Sequence, residues 1–184
     1  MRPRFILASG SPRRRQLLSD AGYEFEVVSP PVDEVAHGWL TIRELTIWNA
    51  ARKAARVSRM MPDAVVLAAD TLVTIDREVL GKPKDVEEAL RILRRLSGRA
   101  HEVWTAVRIN HAARGRAHSF HEMSRVYFRK LDDEGIRSYL ANIDPLDKAG
   151  GYAAQGHGTE IIERIDGSYS NVVGLPMEKT AEAL

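Results

Sequence analysis

The run Ala64-Val65-Val66-Leu67-Ala68-Ala69-Asp70-Thr71-Leu72-Val73-Thr74-Ile75 is the strongest β signal in the chain. Its Val, Leu and Ile content is that of a buried strand, and Asp70 interrupts it in mid-run. Upstream, Phe5 to Leu7 reads as a short strand running into Ser9-Gly10-Ser11 and then a helix. In that helix Ser11 is the N-cap, Pro12 takes the first position and Gly22 marks the end. A strand is expected near Phe25 to Ser29. Thr41 with Glu44 three residues on has capping-box form, which predicts an Ala-rich helix reaching about Ser58.

Downstream, Asp85 caps a helix with Ala89, Leu90, Leu93 and Leu96 on one face, closing at Gly98. His101 to Ile109 and His118 to Phe128 read as two strands joined by a polar hairpin around Arg114-Gly115. A helix over Asp132 to Asn142, a Gly-rich loop from Asp147 to Gly158, a strand from Thr159 to Ile165, a turn at Gly167 and a helix after Pro176 complete the chain. Adjacent strands are too frequent for strictly alternating parallel units, so the class is mixed α/β. No repeat or Gly/Ser linker divides the 184 residues, which predicts a single domain, 1–184, with room for two lobes.

Composition narrows the function. With no cysteine there is no disulfide, thiolate metal site or cysteine nucleophile, so any metal is held by oxygen or imidazole. A net charge of +2 is too small for a dedicated nucleic-acid binder. The longest apolar run is too short to span a bilayer, and the amino terminus has no signal-peptide core, so the cytoplasm is the expected compartment.

Four stretches carry candidate chemistry. In Ser9-Gly10-Ser11-Pro12-Arg13-Arg14-Arg15, three cations crowd the first helical turn, where the helix dipole disfavours each by roughly 0.3–1 kcal/mol. A bound anion reverses that sign, and freed N–H groups, the hydroxyls of Ser9 and Ser11 and the guanidiniums of Arg13 and Arg14 form a phosphate receptor. A solvated basic turn is the competing reading. Asp70 costs several kcal/mol in an apolar strand unless it is paired, hydrogen-bonded or metal-bound, so it is either a catalytic or metal-binding carboxylate or a strand-end cap with Thr71.

Lys53 lies on the flank of the Ala-rich helix face, where its ammonium could reach into a cleft, and Lys82 sits between Gly81 and Pro83 without Walker spacing. Asp33 and Glu34 follow Pro30-Pro31 and could add an acidic, metal-facing edge, though the residues alone favour a solvated acidic loop. The four glycines of Asp147 to Gly158 suit a loop whose backbone approaches a ligand. His118 and His121 would face opposite sides of a strand, which argues against zinc, and no G-x-S-x-G elbow is present.

Together these segments resemble the Maf family of nucleotide pyrophosphatases. The resemblance is carried, in order, by Ser9 to Arg14, Lys53-Ala54, Ala69-Asp70-Thr71, Gly81-Lys82-Pro83, Leu96-Ser97-Gly98 with His101, Asp147-Lys148-Ala149-Gly150, Gly167-Ser168 and Val173-Gly174-Leu175-Pro176. It implies an inosine-triphosphatase-like fold: an elongated mixed sheet flanked by helices, with two lobes and a central cleft. It also implies metal-dependent attack of water at the α-phosphorus of a nucleoside triphosphate, releasing monophosphate and pyrophosphate. In that scheme Asp70 is the proton acceptor, or the orienter of water through a metal. Mg2+ or Mn2+ is held by Asp70 with Glu34, while Arg13, Arg14, Lys53 and Lys82 surround the phosphates.

Arg13, Thr71 and Gln155 match positions of substrate selection in the dTTP/UTP branch, and Lys148 is present as in that branch. The 7-methyl-GTP branch usually carries glutamate where Gln155 stands. A primary amide both donates and accepts, matching O4 and N3–H of uracil or thymine. Two departures are visible: Asp144 replaces a usual glutamate, and Asn49 an apolar residue, and neither is expected to touch the catalytic core. The rival readings are a pyrophosphatase for noncanonical purines such as ITP, and a nucleotide-sensing septation inhibitor that binds without turnover. The resemblance and Trp39, Trp48 and Trp104 leave room for a homodimer, and the tryptophans could equally be core residues.

Overall fold

The computed structural model describes residues 3–29, 31–32 and 40–184. Strand β1 (Phe5–Leu7) leads into α1 (Pro12–Asp20), whose N-cap Ser11 accepts the Arg14 N–H on its hydroxyl, and Gly22 takes a positive φ just beyond the helix end. Strand β2 (Glu26–Val27) lies parallel to β1. Helix α2 (Ile42–Met60) opens with a complete capping box between Thr41 and Glu44. The run from Ala64 becomes β3 (Val65–Ile75), parallel to β1 with Ile6 opposite Val66 and Leu7 opposite Leu67.

An unpredicted strand, β4 (Glu78–Leu80), folds back antiparallel on β3 with Ile75 opposite Glu78. The two linking residues, Asp76 and Arg77, both have positive φ (54° and 67°), as primed two-residue hairpin turns demand. Then follow α3 (Val86–Leu96), β5 (Ala100–His111), β6 (Arg116–Phe128) and α4 (Asp133–Ala141), with Asp85 and Asp132 as N-caps. One 3-10 turn, Ala112–Arg114, and left-handed Gly115 link β5 to β6.

The expected strand from Thr159 starts three residues late. Gly158–Ile161 forms one helical turn, α5, and β7 (Ile162–Asp166) pairs antiparallel with β6 only from Ile162 onward. The turn is stabilised locally, since Glu160 N–H bonds the His157 carbonyl (3.0 Å), and a bulge at Tyr127/Phe128 closes the register at Ile162. Helices α6 (Tyr169–Val173) and α7 (Met177–Ala183) end the chain, and only the second was expected.

The described residues form one seven-stranded mixed sheet of order β2-β1-β3-β5-β6-β7, with β4 beside β3. The chain divides into two compact units, in accord with the two expected lobes: Met1–Asp70, Thr105–Glu122 and Gly174–Leu184 in the first, Thr71–Trp104 and Met123–Val173 in the second. In the first unit, strand alternation sends Ile6, Ala8, Val66 and Ala68 to one face against Ala54 and Val57 of α2. Leu7, Leu67 and Ala69 go to the other face, against Leu18 of α1 and Leu175. Burial on both faces explains why β3 reads as a continuous apolar run rather than an alternating one. In the second unit, Leu90, Leu93 and Leu96 pack with Val103, Val126, Phe128, Ile136 and Tyr139.

Neither described tryptophan is a core residue: Trp48 is 55% exposed, and Trp104 is partly buried with its indole N–H on Glu102 (3.1 Å). Trp39 lies outside the described residues. Among the described residues no helix is long and apolar enough to cross a membrane.

Candidate active site

Alternation along β3 places Asp70 on the same face as Val66 and Ala68, the face that α2 covers. The buried stripe of α2 runs through Leu45, Asn49, Ala50, Ala54 and Val57, and Lys53 lies beside it one turn after Asn49. Two polar side chains therefore meet one carboxylate. Lys53 Nζ donates to Asp70 Oδ1 at 2.6 Å, and Asn49 Nδ2 donates to Oδ2 at 3.3 Å.

Asp70 is only 2% exposed, and the Lys53 side chain only 13%, so this ion pair sits away from bulk water. The pairing offsets the cost of burying the carboxylate, and losing one partner alone would leave a charge uncompensated. Lys53 thus contacts Asp70 directly, where the sequence placed it facing phosphate. Asn49, expected to stay clear of the catalytic core, bonds its central carboxylate. The available signal was an amide four residues before Lys53, in line with Leu45, Ala50, Ala54 and Val57 on the buried helix face.

The first helical turn is assembled differently from a row of free cations. Arg14 is buried, donating from Nε to the Gly174 carbonyl (2.8 Å) and from Nη1 to Ser9 Oγ (3.1 Å). Ser9 Oγ also accepts the Ser11 N–H (3.2 Å). Arg14 and Ser9 thereby fix the loop before α1 to the segment before α7, while Arg13 stays partly exposed one residue earlier. The loop passes close to the chain two residues beyond β2, since a Cβ on Gly10 would stand 2.9 Å from Ser29 Oγ. No acidic residue occupies the first turn of α1, an arrangement that suits an anion at the positive end of its dipole.

In the second unit the two lysine-bearing loops share a backbone bond, from Gly150 N–H to the Gly81 carbonyl (3.0 Å). Lys82 is exposed beside buried Pro83. The Lys148 ammonium donates to the Asp144 carbonyl (2.5 Å) and to the Asp147 carboxylate. Gly150 has φ +72°, and a Cβ there would press on the Val73 methyls at 3.1–3.2 Å. Thr71, the first residue of this unit, is partly buried.

Gln155 is partly buried at the end of this loop, where its carbonyl accepts the Gly158 N–H (3.3 Å). The approach to it is anchored by Tyr139, which the sequence did not single out, and by the motif residue His101 with Tyr152 of the Gly-rich loop. Tyr139 OH donates to the Ala153 carbonyl (3.2 Å) and accepts the Ala153 N–H (3.0 Å). Tyr152 OH lies 2.7 Å from His101 Nε2, and both residues are buried. Burial pushes the Tyr139 and Tyr152 hydroxyls up from their ordinary pKa and holds the His101 imidazole down at about 4, since a charged ring there would lose its hydration.

Among the described residues there is no group of three or more His, Asp or Glu able to hold a metal by themselves, and Glu34 and Asp33 lie outside the described residues. Asp70 can offer one carboxylate. That suits Mg2+, which commonly takes one or two protein carboxylates and completes its shell with phosphate oxygens and water.

Solved structures share the fold. The nucleoside-triphosphatase / dITP/XTP pyrophosphatase from Mycobacterium abscessus aligns over 98% of this chain and 93% of its own, with a TM-score of 0.50 at 16% identity. A HAM1 protein from Coxiella burnetii aligns over 69% and 73%, also with a TM-score of 0.50 and 16% identity. Sequence relatives lie much nearer. The dTTP/UTP pyrophosphatase of Pelotomaculum thermopropionicum is 46% identical over 97% of this chain and 94% of that protein. That of Geotalea uraniireducens is 44% identical over 97% and 92%. The profile of the family described as Maf-like protein matches residues 4–184, and with relatives this similar along almost the whole length, the chain belongs to the Maf-like family.

Proposed function

We propose that this chain hydrolyses dTTP and UTP between the α- and β-phosphates, releasing the nucleoside monophosphate and pyrophosphate. The observation that carries the reading is the buried Asp70 carboxylate, gripped on both oxygens by residues of one helix, in a chain over 40% identical to several dTTP/UTP pyrophosphatases. A module that only bound nucleotide would have little use for a costly carboxylate set toward a polyanion.

The water oxygen bonds to the α-phosphorus, the bond from that phosphorus to the α–β bridging oxygen breaks, and the electron pair leaves with pyrophosphate. Asp70 takes the proton of the attacking water, and the nearby Lys53 ammonium keeps the carboxylate charge-balanced until it does. A divalent cation, Mg2+ or Mn2+ held partly by Asp70 with Glu34, supplies charge neutralisation to the phosphate oxygens when bound. Arg13 and the lysines Lys82 and Lys148 supply cations for phosphate, with the dipole of α1 adding to Arg13. Ser9, Ser11 and Arg14 shape the loop that presents those N–H groups. Gln155 reads the pyrimidine edge, donating to O4 and accepting from N3–H.

Pyrophosphate release from dTTP, UTP, ITP and GTP with Mg2+ or Mn2+ tests the reading. Release from the two pyrimidine nucleotides that Asp70→Asn cuts to a small residual rate, with Gln155→Glu eroding the preference, supports both chemistry and selectivity. Preference for ITP would move the assignment to the noncanonical purine class, and full release by Asp70→Asn would remove Asp70 from the mechanism.

A further inference from the structure

We propose that Asn49 is a positioning residue for this reaction, fixing the plane of the Asp70 carboxylate through the oxygen that Lys53 does not hold. The inference rests on the role given to Asp70 above.

A carboxylate rotates broadly about its terminal bond, so a single donor leaves its plane undetermined. Lys53 is such a donor: a compact charge on a flexible four-carbon stem, 2.6 Å from Oδ1. A second donor on the other oxygen removes that freedom. Asn49 provides it from a one-carbon stem, 2% exposed, on the same helix one turn before Lys53. Backbone and side chain are both held, because Asn49 lies within the buried stripe that includes Ala50 and Ala54. An amide on such a face is costly unless it is bonded, and the acceptor it finds is the one carboxylate on that face of β3.

Asn49 also differs from a second lysine. It orders the carboxylate without adding positive charge beside it, so the substrate phosphates meet one ammonium there instead of two. A proton acceptor works only when its lone pair is aimed at the reacting water, and misaiming it lowers turnover without weakening substrate binding.

The test measures kcat and KM for UTP, with thermal unfolding, for Asn49→Ala and Asn49→Leu, each alone and combined with Asp70→Asn. Both single variants lack the donor but differ in volume. The expected result is a drop in kcat of about ten-fold for each, with KM within about two-fold of the parent. Asn49→Ala, which inserts a strong helix former and overpacks nothing, carries the test if Asn49→Leu does not fold. Combined with Asp70→Asn, neither substitution lowers the residual rate further, because a residue acting through Asp70 has nothing left to position.

A folded Asn49→Ala with parental kcat, beside an inactive Asp70→Asn, overturns the inference while leaving the reading of Asp70 intact. A repeat of the same ten-fold loss in the Asp70→Asn background also overturns it, by showing that Asn49 acts elsewhere. Full activity of Asp70→Asn would remove both.

Discussion

Acid will destabilise this protein through a histidine that takes no part in the proposed chemistry. His101 is 2% exposed, and the rings of Phe128 and Tyr152 stand edge-on to it at 4.9 and 5.3 Å. Its Nε2 meets the Tyr152 hydroxyl, while Nδ1 has no hydrogen-bond partner among the described residues. Protonation would therefore bury an N–H carrying positive charge with nothing to accept it. Burial lowers the folded pKa from 6.5 to about 4, whereas the unfolded chain keeps the ordinary value.

The sign follows from proton counting. Between pH 6.5 and about 4 the unfolded state binds a proton that the folded state refuses, so stability is complete above 6.5 and is lost as pH falls. At about 1.36 kcal/mol per pH unit, the loss is about 2 kcal/mol near pH 5 and about 3 kcal/mol at the lower limit. The assay is urea unfolding from about pH 8 to about pH 4.5 for the wild type and His101→Phe. The variant keeps a ring in the slot but starts less stable, because the Tyr152 hydroxyl loses its partner, so the comparison is between slopes. The wild type should lose about 2 kcal/mol more than the variant on going to about pH 5. Equal slopes, or a native His101 that titrates near 6.5 by NMR, would show that the ring takes a proton in the folded state without penalty.

Three further outcomes follow from the geometry. Lys53→Met leaves Asp70 buried without its counter-charge and should cost about 3 kcal/mol or more in unfolding free energy near neutral pH, with most of it recovered in Lys53→Met/Asp70→Asn. Gly158→Ala places a Cβ 2.7 Å from the Ala153 backbone carbonyl, which cannot step aside, whereas the tight contact of Gly10→Ala among the described residues is the rotatable Ser29 hydroxyl; calorimetry should show the larger drop in Tm for Gly158→Ala. Asp144→Ala should keep kcat and KM within about two-fold and cost about 1 kcal/mol, because Lys148 uses the Asp144 backbone carbonyl, and among the described residues the carboxylate serves the Leu146 N–H.

The elements legible in the sequence were those whose local chemistry and tertiary role agree. Thr41 with Glu44 and Asp85 cap the helices predicted from them, the helix expected from Asp132 starts one residue later with Asp132 as its cap, and the doubly buried β3 read correctly as an apolar run. Misreadings fell where the two disagree. Asp76-Arg77 makes a primed turn without the Asn-Gly or Asp-Gly pair that usually announces one, so β4 was invisible. The β-branched and apolar residues around Thr159 to Ile162 suggested a strand, but Gly158 fits close against the Ala153 carbonyl and the chain makes a helical turn first.

The same distinction governs the site. Asp70 announced itself because a carboxylate in an apolar strand is expensive, and the structure shows what offsets that expense. The partners were harder to read, since contact between α2 and β3 depends on how helix and strand pack, and no local spacing encodes it. The two positions read as departures from the family pattern make the point in opposite directions. Asp144 looks like a change beside a binding lysine, yet the bond it gives Lys148 comes from its carbonyl, which every residue possesses. Asn49 looks remote in sequence, yet its side chain donates the hydrogen bond to Asp70 Oδ2, and the alanines and valine that follow it on the same helix face could not. Whether a substitution reaches the chemistry thus turns on which atom makes the contact, so Asn49 rather than Asp144 is where this chain's turnover should depart from that of relatives with an apolar residue there.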